Sequence, residues 1–410
     1  MFKRDLSRTV RRFSKFPVVA LLGPRYSGKT ALIKELFNKH SYFNFENPQT
    51  RFFVSSDPQK FLKNNENNYG IILDEFQHIP EILSYIQIEA DEKKRPGYFI
   101  LTGSQNFLMN EAITQSLAGR VGILTLLPLS ISEMKQSKIL PESSDEALFY
   151  GGYPRIYSEK FSPLELYPSY IQSYLERDVR ALLNVKNLTI FQKFMKLCAG
   201  RVGQLLNIED LATNCGINRK TAEKWISILE ASYIIFLLKP HHKNFNKRIT
   251  KMPKIYFYDT GLVCSLLEIR SYKDLFSSPF RGPLFECFIV ADLFKQYCNM
   301  GLRPPLYFWR DKNGLIEIDC LIDVGVSLIP IEIKSGETVA DDYFGALSKW
   351  NTIANTNPQN NYIVYGGELV QSRSLGNLVG WESSFSLIEK IEKGLAKVSG
   401  KGTARKRPNL

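Results

Sequence analysis

The chain reads as an α/β protein whose first domain is a parallel sheet with flanking helices, and three observations predict it. Residues 23–30 are Gly-Pro-Arg-Tyr-Ser-Gly-Lys-Thr. The apolar run Phe16–Leu22 precedes them as a buried strand, and Ala31–Lys39 follows with apolar positions at helical spacing. Tyr42–Glu46, Tyr69–Glu75 and Gly97–Gly103 then read as further strands, the last two ending in polar groups.

A glycine-containing loop between strand and helix is a phosphate site for a physical reason. Successive main-chain N–H groups and the positive end of the helix face an anion together. Gly23, Pro24, Arg25, Tyr26, Ser27, Gly28, Lys29 and Thr30 therefore form the candidate ATP site, with Lys29 reaching the β and γ phosphates and Thr30 on magnesium. Asp74 is placed to hold the magnesium shell, and Glu75 to polarise an attacking water. Carboxyl ends of neighbouring parallel strands line the ligand crevice, so Ser104, Gln105 and Asn106 fall beside the γ phosphate. Gln105 and Asn106 are the preferred water-orienting residues; the other reading is that they close a turn.

Length and composition bound the rest. At 410 residues the chain is expected to hold two to four domains. Its apolar content of 44% and charged content of 23% are those of a globular protein. No apolar stretch approaches the roughly 20 residues that span a bilayer, and the start lacks a secretory core, so a cytoplasmic protein without a membrane partner is expected. Cys198, Cys215, Cys264, Cys287, Cys298 and Cys320 are widely spaced, and only His40, His78, His241 and His242 accompany them. That argues against structural zinc or a disulfide framework. The net charge of +12 favours polyanionic partners. It concentrates at Lys3, Arg4, Arg8, Arg11, Arg12 and Lys15, between Lys243 and Lys254, and in the tail at Lys397, Lys401, Arg405, Lys406 and Arg407. Each cluster is either a binding patch or a solvated face.

In the middle, Ile208, Leu211, Ala212, Ile217, Thr221, Trp225, Ile228 and Leu229 outline two amphipathic helices around a turn at Cys215–Asn218. That is the helix-turn-helix order, with the second helix starting near Arg219 as the recognition helix. Tyr233–Leu238 and Lys254–Tyr258 read as strands flanking a basic wing over Lys239–Lys254. A basic wing suits a DNA backbone, and the same elements also serve as protein contacts.

Toward the end, Tyr307–Asp323 and Leu328–Lys334 read as two strands joined by a turn at Val324–Ser327. By two-residue alternation Ile318, Cys320 and Ile322 share one face and Asp319 takes the other, while Ile331 and Ile333 oppose Glu332 and Lys334. Asp319, Glu332 and Lys334 then meet, two carboxylates to bind magnesium and an ammonium to orient water, as phosphodiester hydrolysis needs. A helix over Pro283–Val290 adds Glu286, and Tyr362–Tyr365 a later strand.

Two resemblances follow from these residues. The loop, Asn44–Pro48, Ile71–Gln77, Ile100–Gln105, Ser116–Arg120 and Leu127–Leu129 together resemble the bacterial and archaeal AAA-type ATPases of the additional-strand P-loop class, over about residues 14–180. That resemblance implies an arginine completing the site from the same chain or a neighbouring subunit. Arg120 matches by motif, with Arg155 and Arg177 as weaker candidates. Glu286, Asp319 and Glu332-Ile-Lys334 resemble the PD-(D/E)xK nuclease superfamily, which implies a restriction-endonuclease-like α/β domain with Glu286, Asp319 and Glu332 on metal and Asp319, Glu332 and Lys334 catalytic. The expected organisation is an ATPase domain over 1–130, a helical lid over 131–185, a winged helix-turn-helix over 186–265, a nuclease-like domain over 275–395 and a basic tail over 396–410. The expected function is magnesium-dependent ATP hydrolysis acting on DNA with a C-terminal nuclease site. The alternative is an ATP-driven signalling switch that binds a protein partner or DNA without cleavage; either is compatible with a homo-oligomer.

Overall fold

The computed structural model describes residues 2–104, 113, 115–175, 179, 188–242, 251–325 and 327–393. β1 (Val18–Leu22), β2 (Ser41–Asn44), β3 (Ile71–Asp74), β4 (Phe99–Gly103) and β5 (Val121–Thr125) form one parallel sheet in the order β2-β3-β4-β1-β5. β4 thus lies between β1 and β3, as the additional strand. All five residues of β1 are buried because helices cover both faces: Val18, Ala20 and Leu22 join one core cluster, Val19 and Leu21 another with Leu32 and Ile33. β5 escaped the sequence reading. It is short and half-exposed, with Gly122 in its interior, so it lacks the continuous apolar signal of β1.

The N-terminal basic cluster is not uniformly a solvated face. Arg4 is only 5% exposed and donates to the carbonyls of Ser27 (2.5 Å) and Leu127 (2.6 Å) and to the Glu133 carboxylate (2.9 Å). Glu133 also closes a capping box with Ser130 at the start of helix Ile131–Gln136. From the other side, Asp292 accepts from the Ile131 amide (2.8 Å) and Lys295 donates to the Leu129 carbonyl (3.2 Å). Both belong to the long helix Arg281–Asn299, whose end is met by Thr9 of the N-terminal helix Leu6–Phe13, bonded to the Asn299 carbonyl at 2.7 Å.

In the middle, helix Ile208–Cys215 ends on left-handed Gly216, and helix Arg219–Ala231 is capped by Asn218 accepting from the Thr221 amide. β6 (Ile235–Leu238) and β7 (Lys254–Phe257) pair antiparallel, and the 203–206 segment runs beside β7 through the Gly203 and Ile255 amides. β6 starts later than expected because Tyr233 takes a left-handed φ of 57°. Half of the basic wing, residues 243–250, lies outside the described residues. Lys254 is no wing residue: it is buried, 4% exposed.

The last sheet holds β8 (Leu306–Arg310), β9 (Glu317–Asp323), β10 (Leu328–Lys334), β11 (Tyr362–Tyr365), β12 (Val370–Arg373) and β13 (Gly376–Gly380) in the order β12-β13-β11-β10-β9-β8. The long helix packs on one face and helix Gly345–Ala354 on the other. The expected alternation along β9 fails at Ile318, which joins Leu321 and Trp350 in a cluster apart from that of Cys320 and Ile322. The cause is an irregular register: Tyr307 pairs with Leu321 but Trp309 with Ile318, so β9 carries an extra residue there. A bulge of this kind re-aims a side chain, here beside Asp319.

Removing Arg4 strands the fully buried Glu133 carboxylate. Arg4→Ala is expected to lower stability by about 3–5 kcal/mol, whereas the Arg4→Met/Glu133→Leu pair recovers most of the loss. Urea-unfolding midpoints of the variants check both.

Candidate functional site

The phosphate loop is shaped by backbone that only small residues tolerate. Gly23 has φ +150°, and a Cβ there would lie 2.1 Å from the Leu126 carbonyl oxygen; Gly28, at φ +93°, caps helix Lys29–Leu36. Pro24 and Ser27 are buried, Arg25 is half-buried, and the Ser27 hydroxyl donates to the Pro24 carbonyl at 2.9 Å. The Lys29 ammonium is buried inside the loop, on the carbonyls of Gly23 (2.9 Å) and Pro24 (2.8 Å).

Asp74, at the carboxyl end of β3, is a hub for three hydroxyls. Thr30 donates at 2.9 Å and Tyr42 at 2.6 Å to one carboxylate oxygen, and Thr102 donates to the other. Burial, then the neighbouring Asp74, keeps the Tyr42 phenol protonated well above its ordinary range. Glu75 follows with a left-handed φ of 56° and accepts from Gln77 and from Ser104 (3.3 Å). Gln77 also reaches the Ser104 hydroxyl at 3.4 Å. Asp74 and Thr30 are a carboxylate and hydroxyl set at a helix N-terminus, hard-oxygen chemistry that fits Mg²⁺.

Of the residues expected from the sequence, Thr30 meets Asp74 and Glu75 meets Ser104 by hydrogen bonds, with Lys29 folded into the loop beside Thr30. Gln105, Asn106 and Arg177 lie outside the described residues. Arg120 is a correction as a residue of this chain's own crevice. Its carbonyl bonds the Val18 amide at the amino end of β1, opposite the loop, and its guanidinium clamps Asp91 (2.8 Å) and the Ala118 carbonyl (2.8 Å). Arg155 is nearer: its guanidinium lies 5.0 Å over the ring of Tyr26, in the loop itself, while pairing with Glu159 at 2.7 Å. Tyr42, Thr102, Gln77 and Arg4 were missed as site residues, since single hydroxyls, an amide and a terminal arginine carry no spacing signal.

A second cluster lies in the last domain. Asp319 accepts from the Ile333 amide (2.8 Å), Lys334 donates to Glu332 (2.9 Å), and Glu286 on the long helix accepts from Lys254 (3.0 Å) and Tyr256. Lys254 also pairs with Glu317 at 2.5 Å. Burial, and then the Asp319 charge, pushes Glu286 up to about 7 and Glu332 up to about 8; burial also raises Asp319. Burial alone would lower the Lys254 ammonium, but Glu286, Asp319 and Glu317 outweigh it and hold it above the usual lysine value. The expected metal set is not assembled: among the described residues no group of three or more His, Cys, Asp or Glu side chains is arranged to hold a metal ion. The physical reason is that Glu286 and Glu332 already hold the Lys254 and Lys334 ammonium groups and Asp319 the Ile333 amide. One observation fits a cation all the same, since Glu332 Oε1 is buried without a hydrogen-bond partner.

Residues 15–135 match the family model described as AAA domain. Residues 141–273 and 281–382 match models described as Domain of unknown function (DUF8612) and Domain of unknown function (DUF4143). Uncharacterized proteins of Mycobacterium tuberculosis and Mycobacterium bovis are 29% identical over 345 residues, covering 82% of this chain and 74% of theirs. Among solved structures, the Walker-type ATPase of Pyrococcus abyssi covers 66% of this chain and 96% of its own at 16% identity and a TM-score of 0.45. The Aeropyrum pernix Orc1 protein in complex with DNA covers 66% and 93% at 14% identity and a TM-score of 0.30. Among the described residues no helix is long and apolar enough to cross a membrane. The first domain is of the AAA type, an α/β P-loop ATPase domain with a parallel sheet.

Gly23→Ala is expected to abolish binding of a fluorescent ATP analogue and to lower the melting temperature, because its Cβ meets backbone that cannot move aside. An unchanged affinity in a fluorescence titration would contradict the geometry.

Proposed function

We propose that this chain hydrolyses ATP with magnesium in its first domain and uses nucleotide state to act on DNA through the middle and last domains. The observation that carries the first part is the convergence of Lys29, Thr30, Asp74, Glu75 and Ser104 at the carboxyl ends of β1, β3 and β4. Water attacks the γ phosphorus in line as its bond to the β-bridging oxygen breaks, leaving ADP and phosphate. Glu75, steadied by Gln77 and Ser104, accepts a hydrogen bond from that water and draws off its proton. Lys29 exchanges two carbonyls for phosphate oxygens and offsets their charge. Mg²⁺, when bound at Thr30 and Asp74, supplies charge neutralisation of the phosphates. Arg155 is our choice for the arginine of the same chain, since it is already held against the loop through Tyr26.

For DNA, the start of helix Arg219–Ala231 exposes Arg219, Lys220 and Lys224, and the hairpin behind it supports a winged-helix reading. For cleavage, the order of helix, β8, β9, β10, helix and β11, with Glu286, Asp319, Glu332 and Lys334 in sequence, supports a nuclease-like domain, in which the three carboxylates would be the groups to hold magnesium. The second reading, a signalling switch without cleavage, is favoured by one specific observation: Lys254 and Lys334 already pair with Glu286 and Glu332.

Lys29→Ala should abolish ATP turnover, and Glu75→Gln should keep ATP affinity while lowering kcat by roughly 10²–10⁴-fold, measured by phosphate release. Arg155→Ala should reduce kcat more than Arg120→Ala; the reverse order would assign the role to Arg120 of a neighbouring copy. Lys220→Ala/Lys224→Ala should weaken duplex binding and reduce the salt slope by about 2. DNA-stimulated turnover with metal-dependent nicking lost in Asp319→Ala supports the first reading. DNA-independent turnover without nicking leaves the second.

A further inference from the structure

Lys254 belongs to the middle hairpin by sequence and to the last domain by contact. It opens β7, yet its buried ammonium bonds Glu286 at 3.0 Å on the long helix and Glu317 at 2.5 Å on β9. Its neighbour Tyr256 donates to the same Glu286 oxygen that Lys254 holds. The hairpin is fastened to the sheet it reaches into. The His241 amide donates to the Phe308 carbonyl (2.6 Å), the Phe308 amide donates to the Lys239 carbonyl (3.1 Å), and the His241 imidazole lies 3.1 Å from the Asp323 carboxylate. A lysine placed by main-chain pairing does not drift out of a cluster as a surface lysine does.

The cluster nonetheless has more negative capacity than these ammonium groups take up. Glu332 is 2% exposed, and its Oε1 has no donor while its Oε2 holds Lys334. A buried carboxylate oxygen without a partner is unstable unless a cation or proton serves it. A divalent ion beside the Lys254 ammonium meets like charge, whereas without that ammonium it meets Glu286, Asp319 and Glu332 opposed by Lys334 alone.

We propose that Lys254 is a resident counter-cation that keeps the C-terminal carboxylate cluster closed to divalent metal. This rests on the metal-site reading of Glu286, Asp319 and Glu332 given above.

Manganese titration of the full-length, nucleotide-free chain, by calorimetry and by thermal unfolding, tests it on an Asp74→Asn background that silences the first domain. Lys254→Met and Lys254→Gln should each bind one Mn²⁺ at least about tenfold more tightly than the parent, the scale on which a neighbouring group tunes a metal site. Mn²⁺ should raise their melting temperature and not the parent's, and Asp319→Asn should erase both gains. Lys254→Gln keeps a hydrogen-bond donor, so it serves if Lys254→Met does not fold. Equal, tight Mn²⁺ binding by parent and variants overturns the inference and leaves the metal-site reading standing. Binding by none of them overturns that reading and the inference with it. Tyr256→Phe, which loosens Glu286 but keeps the ammonium, should match the parent; a gain there would make the hydroxyl the obstacle and overturn the inference.

Discussion

The buried arginine at position 4 is the constraint on which the arrangement of the molecule depends. A single guanidinium with five donors bonds the phosphate loop at Ser27, the exit of β5 at Leu127 and the carboxylate of Glu133. The segment it grips is gripped from the opposite side by Asp292 and Lys295 of the long helix, which also carries Glu286. A buried charge is tolerated only with a full set of partners, so these contacts form together or not at all. The nucleotide loop and the last domain are therefore linked by hydrogen bonds to residues 127–133.

Within the ATPase domain, order is imposed by hydroxyls. Thr30, Tyr42 and Thr102 come from a helix and two strands and all converge on Asp74. Such a carboxylate has little freedom to rotate, and a metal ligand held in this way is pre-organised. Glu75 is held differently, by a side-chain amide and a hydroxyl that can both reorient around a water. The two adjacent carboxylates have the same chemistry and different hydrogen-bond partners, three hydroxyls at Asp74 and an amide and a hydroxyl at Glu75.

The middle and last domains are joined by charge as well as by backbone. Lys254 crosses from the hairpin to Glu286 and Glu317, and residues 239–241 pair with β8. Burial and then the Asp319 charge hold Glu286 and Glu332 above the ordinary carboxylate range, while the Lys254 and Lys334 ammonium groups pull the other way.

By itself the chain's sequence determined the local features: the loop over residues 23–30, the strands ending at Asp74 and Gly103, the helix starting at Arg219, and the strand positions of Asp319, Glu332 and Lys334. These are set by short-range rules, apolar periodicity, glycine conformation and capping, that act within a few residues. Only the tertiary structure decided that Arg4 is buried rather than solvated, that Arg120 sits at the far edge of the sheet while Arg155 leans on Tyr26, and that Lys254 faces carboxylates rather than solvent. It also decided that Ile318 departs from the alternation of its strand, through one extra residue opposite β8. The reason is common to all four: a basic or apolar residue has the same local signature whatever it packs against, and its partners here lie from about a dozen to more than a hundred positions away.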